Sequence, residues 1–205
     1  TSGTGYLLYS VRFADANVGW SVGTGGTMFK TTNGGADWTL QSSSRTTERL
    51  SGVSFTNANT GVVVGNKGAV LTTTNGGTNW AENANAIPIY MYSIAFLNSN
   101  TGFVTGQTGK LRRTTNAGAT WDSIGSPESY EFAQFQVKII SPTEIYLVGN
   151  PSYLYKSTDL GNTWTNLTIN VPQVSTTYIW YSVDKAGSTL VISGDYGVVA
   201  KSTDG

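Results

Sequence analysis

Acid–base or nucleophilic chemistry has few residues to draw on in this chain. None of its 205 residues is His or Cys, which removes the commonest general base, the commonest metal ligand and the thiolate nucleophile together. Carboxylates, arginines and phenols remain. Glycoside hydrolysis needs two carboxylates roughly 5–9.5 Å apart, and the candidates are Glu48, Glu82, Glu128, Glu131 and Asp195. Glu128 and Glu131 share one loop, and spacing selects no pair among the rest. Arg12, Arg45, Arg49, Arg112 and Arg113 do not recur in a way that converges on one anionic site. The Gly-x-Gly stretches lie in no strand-to-helix context and read as turns, not phosphate loops. No cofactor and no metal are expected. Recognition is better supplied: Tyr90, Tyr130, Phe132, Tyr178 and Trp180 stand in irregular, polar segments. Aromatic rings rimmed by polar groups suit a protein hot spot or a sugar platform.

Bulk charge narrows the partners. Twelve basic residues balance twelve acidic ones, and charged residues make up 12% of the chain against roughly 25% in ordinary soluble proteins. Such a chain has neither the basic footprint of a nucleic-acid binder nor a polybasic membrane anchor. No apolar run reaches the roughly 18 residues of a membrane span. A weakly charged surface rich in Thr, Ser, Asn and Gly self-associates readily, which points to an extracellular or cell-surface scaffold. The opening Thr1-Ser2-Gly3-Thr4-Gly5 lacks the basic and apolar regions of a signal peptide, so an export signal is expected outside this sequence.

The elements that must position these residues repeat. Thr31-Thr32-Asn33-Gly34-Gly35-Ala36-Asp37-Trp38 returns as Thr73-Thr74-Asn75-Gly76-Gly77-Thr78-Asn79-Trp80, and again as Thr114-Thr115-Asn116-Ala117-Gly118-Ala119-Thr120-Trp121. A fourth copy is Ser157-Thr158-Asp159-Leu160-Gly161-Asn162-Thr163-Trp164, and a fifth begins at Ser202-Thr203-Asp204-Gly205. Successive Trp residues stand 42, 41 and 43 positions apart. A second signature keeps phase: Val11-Arg12-Phe13, Val53-Ser54-Phe55, Ile94-Ala95-Phe96, Val137-Lys138-Ile139 and Val183-Asp184-Lys185. Apolar runs ending at Gly23, Gly65, Gly106, Gly149 and Gly194 follow, with a small turn residue three positions on at Gly26, Gly68, Gly109, Ser152 and Gly197. Each unit reads as four short strands, A to D, with no helical period. A period of roughly 40–45 residues with four strands is a propeller blade.

These segments resemble the Asp-box, or BNR, repeat. The longer pattern from Val-x-Phe to Thr-Thr-Asn-Gly-Gly is similar to propellers of the photosystem II assembly and stability factor family, and it covers essentially the whole chain. The resemblance implies an all-β propeller of four-stranded antiparallel blades, and it is specific for fold rather than function. In such a box Asn33, Asn75, Asn116, Asp159 or Asp204 hydrogen-bonds its own turn as in an Asx-turn. Gly35, Gly77, Gly118 and Gly161 supply positive φ, and Trp38, Trp80, Trp121 and Trp164 bury apolar area while needing one N–H acceptor each. Sialidases also carry such boxes, but Ser10-Val11-Arg12-Phe13 is not their early Arg motif.

The chain is expected to form one domain, residues 1–205, with blades near 6–42, 43–85, 86–126, 127–170 and 171–205. That makes four whole blades and three strands of a fifth, part of a larger ring. Strand-A positions Arg12, Ser54, Ala95, Lys138 and Asp184 should line the channel side, so Lys138 and Asp184 should pair, and closure at five would bring Asp184 to Arg12. The D–A and B–C loops share one face and the boxes lie on the other. Function is expected on the D–A face. Tyr90, Tyr130, Tyr178 and Trp180 should be exposed there, whereas Tyr92, Phe135 and Tyr181 should pack inward. The reading is a non-catalytic scaffold presenting these aromatics to a protein or glycan, to further copies or to other domains. A glycoside hydrolase-type propeller and a photosystem II assembly factor-like protein are the alternatives.

Overall fold

The computed structural model describes residues 5–41, 46–83, 88–127, 133–169 and 178–203. Its elements are strands and tight turns, arranged in five antiparallel sheets in chain order. The first sheet joins β1 (Leu8–Phe13), β2 (Gly19–Gly23), β3 (Met28–Thr31) and β4 (Thr39–Gln41). The second joins β5 (Leu50–Phe55), β6 (Gly61–Gly65), β7 (Val70–Thr73) and β8 (Ala81–Glu82), and the third β9 (Met91–Phe96), β10 (Gly102–Gly106), β11 (Leu111–Thr114) and β12 (Asp122–Ser123). The fourth holds β13 (Gln134–Ser141), β14 (Glu144–Gly149), β15 (Tyr153–Ser157) and β16 (Thr165–Asn166). The fifth holds β17 (Trp180–Ala186), β18 (Thr189–Gly194) and β19 (Val199–Ser202). Four complete blades and three strands of a fifth are what the repeat predicts. The backbone divides into two compact units, Thr1–Phe103 with Arg113–Asp122, and Val104–Arg112 with Ser123–Gly205.

The A strands β1, β5, β13 and β17 each carry a bulge. Register in the first sheet runs Arg12↔Trp20 and Ser10↔Val22, then jumps so that Leu8 faces Gly23 and Tyr9 is left over. Ser51, Phe135 and Tyr181 are left over in the same way. An extra residue flips the alternation of everything before it, with consequences for the site below.

In the first unit, Trp20, Val22 and Met28 of the first sheet pack on Leu50, Val53, Phe55, Val63, Leu71 and Trp80 of the second. Trp20 stacks on Phe55 with centroids 3.4 Å apart, and its indole N–H donates to the Gly76 carbonyl at 3.3 Å. Lys30 Nζ donates to the same carbonyl at 2.8 Å. In the second unit Tyr146, Val148 and Leu154 meet Trp180, Val183, Leu190 and Ile192. Tyr146 holds the register place of Trp20, but Lys185 stands where Phe55 would, and the stack becomes an ionic cluster. The Tyr146 hydroxyl donates to Glu144 Oε1 at 2.8 Å, Lys156 Nζ lies 3.1 Å from it, and Lys185 Nζ also donates to it. Chiefly through Lys185, the Glu144 carboxyl is held down at about 2. Lys138 and Asp184 pair as expected, at 2.7 Å.

The boxes close the β3–β4, β7–β8, β11–β12 and β15–β16 connections. The Asn33, Asn75 and Asn116 side-chain oxygens each accept the N–H four residues on at 2.9 Å. Asp159 accepts the Thr163 N–H at 2.8 Å and the Thr163 hydroxyl at 2.7 Å, which lowers its carboxyl to about 2. Gly35, Gly77, Gly118 and Gly161 have φ between +80° and +91°. The indole expectation holds in part. Trp38 donates to the Gly35 carbonyl at 3.1 Å, but the N–H groups of Trp80, Trp121 and Trp164 find no acceptor among the described residues. Asp204 lies outside the described residues.

Candidate functional site

The loop face is organised by the turn between each B and C strand. Its third residue has positive φ in every sheet: Gly26, Gly68, Gly109, Ser152 and Gly197. Backbone bonds tie the turn to two A-strand entries. The first residue donates to the entry of its own sheet: Thr24 N–H to the Leu7 carbonyl and Asn66 to Arg49 at 2.9 Å, Asn150 to Ala133 and Asp195 to Ile179 at 3.0 Å. The third residue donates to the entry of the next: Gly26 to Glu48 at 2.9 Å, Gly68 to Ile89 at 3.1 Å and Ser152 to Tyr178 at 2.8 Å. Residues just before each A strand are therefore fixed backbone.

Of the predicted binding residues, Tyr90 is 41% exposed and Tyr178 is half-buried. Tyr130 and Phe132 lie outside the described residues. Trp180 corrects the expectation, being 1% exposed. The bulge explains it: Trp180 faces Gly194 on the core side, as Leu50 faces Gly65 in the second sheet, and Tyr181 is the leftover residue. Tyr181 is correspondingly 47% exposed rather than packed inward, while Phe135 and Tyr92 are half-buried.

A cluster of rings results in the second unit. Tyr178 leans on Trp180 with centroids 6.0 Å apart and meets Tyr196 edge to face at 6.2 Å and 76°. Tyr181 meets Phe135 edge to face at 5.2 Å and 63°. Tyr196, in the β18–β19 turn, is 91% exposed, and its φ is +56°. An L-residue held there costs about 1 kcal/mol, and a bare phenol ring recovers none of that by burial. Strand and turn patterns do not single out Tyr196, although comparison of the repeats does. Equivalent turns place Gly25, Lys67 and Thr108 there. Asp195 sits among the rings, accepting the Ile179 N–H at 3.3 Å and bonding the Tyr181 hydroxyl, whose pKa it raises.

Glu48 is paired with Lys67 at 2.8 Å and Glu144 is enclosed by two lysines. Arg49 lies over the Tyr9 ring at 4.4 Å, and Arg112 and Arg113 are half-buried on β11. Glu128, Glu131 and Arg45 lie outside the described residues. Among the described residues, no three Asp or Glu side chains gather as a metal site would require.

Comparison with known proteins agrees with this architecture. No curated protein sequence matches the chain. Among solved structures, one described as YCF48 bound to D1 peptide is 18% identical, with a TM-score of 0.55 over 97% of this chain and 92% of that one. An ancestral GH74 enzyme is 18% identical at a TM-score of 0.71, over all of this chain but 32% of that one. The WD40 β-propeller domain of Doa1 is 9% identical at 0.70, over 97% of this chain and 66% of its own. At these identities the likenesses establish the fold alone. The family model described as photosynthesis system II assembly factor YCF48 matches residues 3–86 and 83–205. This β-propeller chain, built from Asp-box repeats, belongs to the YCF48 family.

Proposed function

We propose that the chain is a non-catalytic scaffold, outside the cell or on its surface, that holds a protein partner against the tyrosines of its fifth sheet. The observation carrying this reading is Tyr196, an exposed ring held at positive φ beside Tyr178 and near the exposed Tyr181. An exposed, strained aromatic on a rigid turn is costly unless something covers it, and rigid loops on a stable scaffold are where recognition is placed. Support also comes from the family, since a solved YCF48 is described as bound to a D1 peptide. Holding a partner's extended segment would serve an assembly factor as well as a surface scaffold. Glycan recognition is the weaker form of the same reading.

The test is a random peptide display library panned on the chain and on a Tyr181→Ala/Tyr196→Ala variant, beside a glycan array. Peptides enriched on the native chain and lost on the variant are expected. Enrichment equal on both would place binding elsewhere, and glycan binding without peptide binding would replace the protein partner. Polysaccharide turnover that vanished on changing a loop-face carboxylate would overturn the scaffold. Recovery of the native protein solely from the cytosol of its source would overturn the extracellular assignment.

A further inference from the structure

The repeat supplies its own control for what is unusual about this surface. The first residue of the turn between B and C strands is Thr24, Asn66, Gln107 and Asn150 in four sheets, all neutral, and Asp195 in the fifth. The second is Gly25, Lys67, Thr108 and Pro151, and then Tyr196. The fifth sheet alone puts a carboxylate beside an exposed aromatic ring. Asp195 is half-buried, and among the described residues its side chain bonds the Ile179 N–H and the Tyr181 hydroxyl. No Lys or Arg of the described residues lies within ion-pairing distance of it, although Lys138, Lys156 and Lys185 of the same unit all have acidic partners. A carboxylate has about four acceptor positions, so Asp195 keeps capacity for a further donor.

The rings around it define the shape of that donor. Tyr178 and Tyr196 meet at 76°, and Phe135 and Tyr181 at 63°. Neither pair is a flat shelf on which a sugar ring could lie. The rings of each pair touch edge to face, and the exposed Tyr181 and Tyr196 turn electronegative ring surface to solvent. A half-buried carboxylate and several ring faces attract the same kind of charge.

Resting on the protein-binding reading above, we propose that Tyr178, Tyr181 and Tyr196 with Asp195 form a receptor for one basic side chain, Arg or Lys, of an extended peptide. The cation meets Asp195 through charge-assisted hydrogen bonds and the tyrosine faces through cation–π contact. The surrounding chain lies over the turn backbone.

The strongest peptide from the display library is synthesised with its basic residue intact and as the neutral isostere, citrulline for Arg or acetyl-lysine for Lys. Calorimetry compares both on the native chain and on Asp195→Asn. Asn keeps an oxygen for the Ile179 N–H, and thermal melting checks that the variant is folded. The enriched peptides are expected to share a basic residue, and the neutral isostere to bind roughly tenfold or more weakly. On Asp195→Asn the preference should shrink to about two- to fivefold, what cation–π contact with the tyrosines leaves. Enriched peptides without a common basic residue, or equal binding of both forms to the native chain, would overturn this inference and leave the protein-binding reading standing. An undiminished preference on Asp195→Asn would also overturn it. Absence of any enrichment would sink both.

Discussion

Single residues in this chain can be judged against their counterparts one repeat away. Ala117 has φ +60° where the first two boxes have Gly34 and Gly76 at +71° and +68°. The side chain is held in a region that L-residues avoid, so Ala117→Gly should stabilise the fold by about 1 kcal/mol, read as a higher urea midpoint with unchanged slope. Glu144 makes the opposite kind of prediction. Its carboxyl is held at about 2 from an ordinary 4.5, first by Lys185. A depressed folded pKa means the stabilisation is complete above pH 4.5 and is lost as pH falls from there toward 2. Glu144→Gln keeps an acceptor oxygen but leaves Lys156 and Lys185 without their counter-charge, and should lower stability at neutral pH. Its stability should then vary less between pH 4.5 and 2 than that of the native chain, measured by urea unfolding across that range. A variant curve parallel to the native one would show that the cluster does not set acid sensitivity.

At the scale of elements, burial follows which sheets flank a strand. β5 packs against both β1 and β9 and is buried throughout, whereas β1 meets β5 and is largely exposed. Val11 is 58% exposed, and its counterpart Val53 is 4% exposed. Val11→Asp should shift stability by no more than about 0.5 kcal/mol, while Val53→Asp places a charge in the core and should prevent folding. Circular dichroism melts of the two variants make the comparison. Most of these elements were legible in the sequence, because strand, turn and box residues recur in phase and each recurrence checks the last. The bulge was not. It has no fixed residue type, being Tyr9, Ser51, Phe135 or Tyr181, and it inverts the alternation from which exposure is inferred. Strict alternation therefore puts Trp180 outside and Tyr181 inside, when the reverse holds. Tyr196 escaped for another reason: its neighbours in phase are small or polar turn residues, so the position read as connection rather than as surface.

For the molecule as a whole, charge is the scarce quantity. Twelve cations and twelve anions leave no net charge near neutrality, and several of them are consumed in pairs such as Lys138–Asp184 and Lys67–Glu48. Little repulsion separates copies, so solubility should pass through a minimum near pH 6 and rise on either side. Polyethylene glycol precipitation between pH 4.5 and 8 measures this, and a flat profile would show that polar uncharged groups govern solubility. The turn-to-entry bonds of the loop face carry a last consequence, for how such a surface diversifies. Glu48, Ile89 and Tyr178 are each clasped by the preceding sheet two residues before their own strand begins. Length can therefore change upstream of the clasp without moving the strand below it, and doubling a loop costs only about 0.6 kcal/mol in closure entropy. The scaffold keeps one register while the segments that connect its sheets are free to differ in length and sequence.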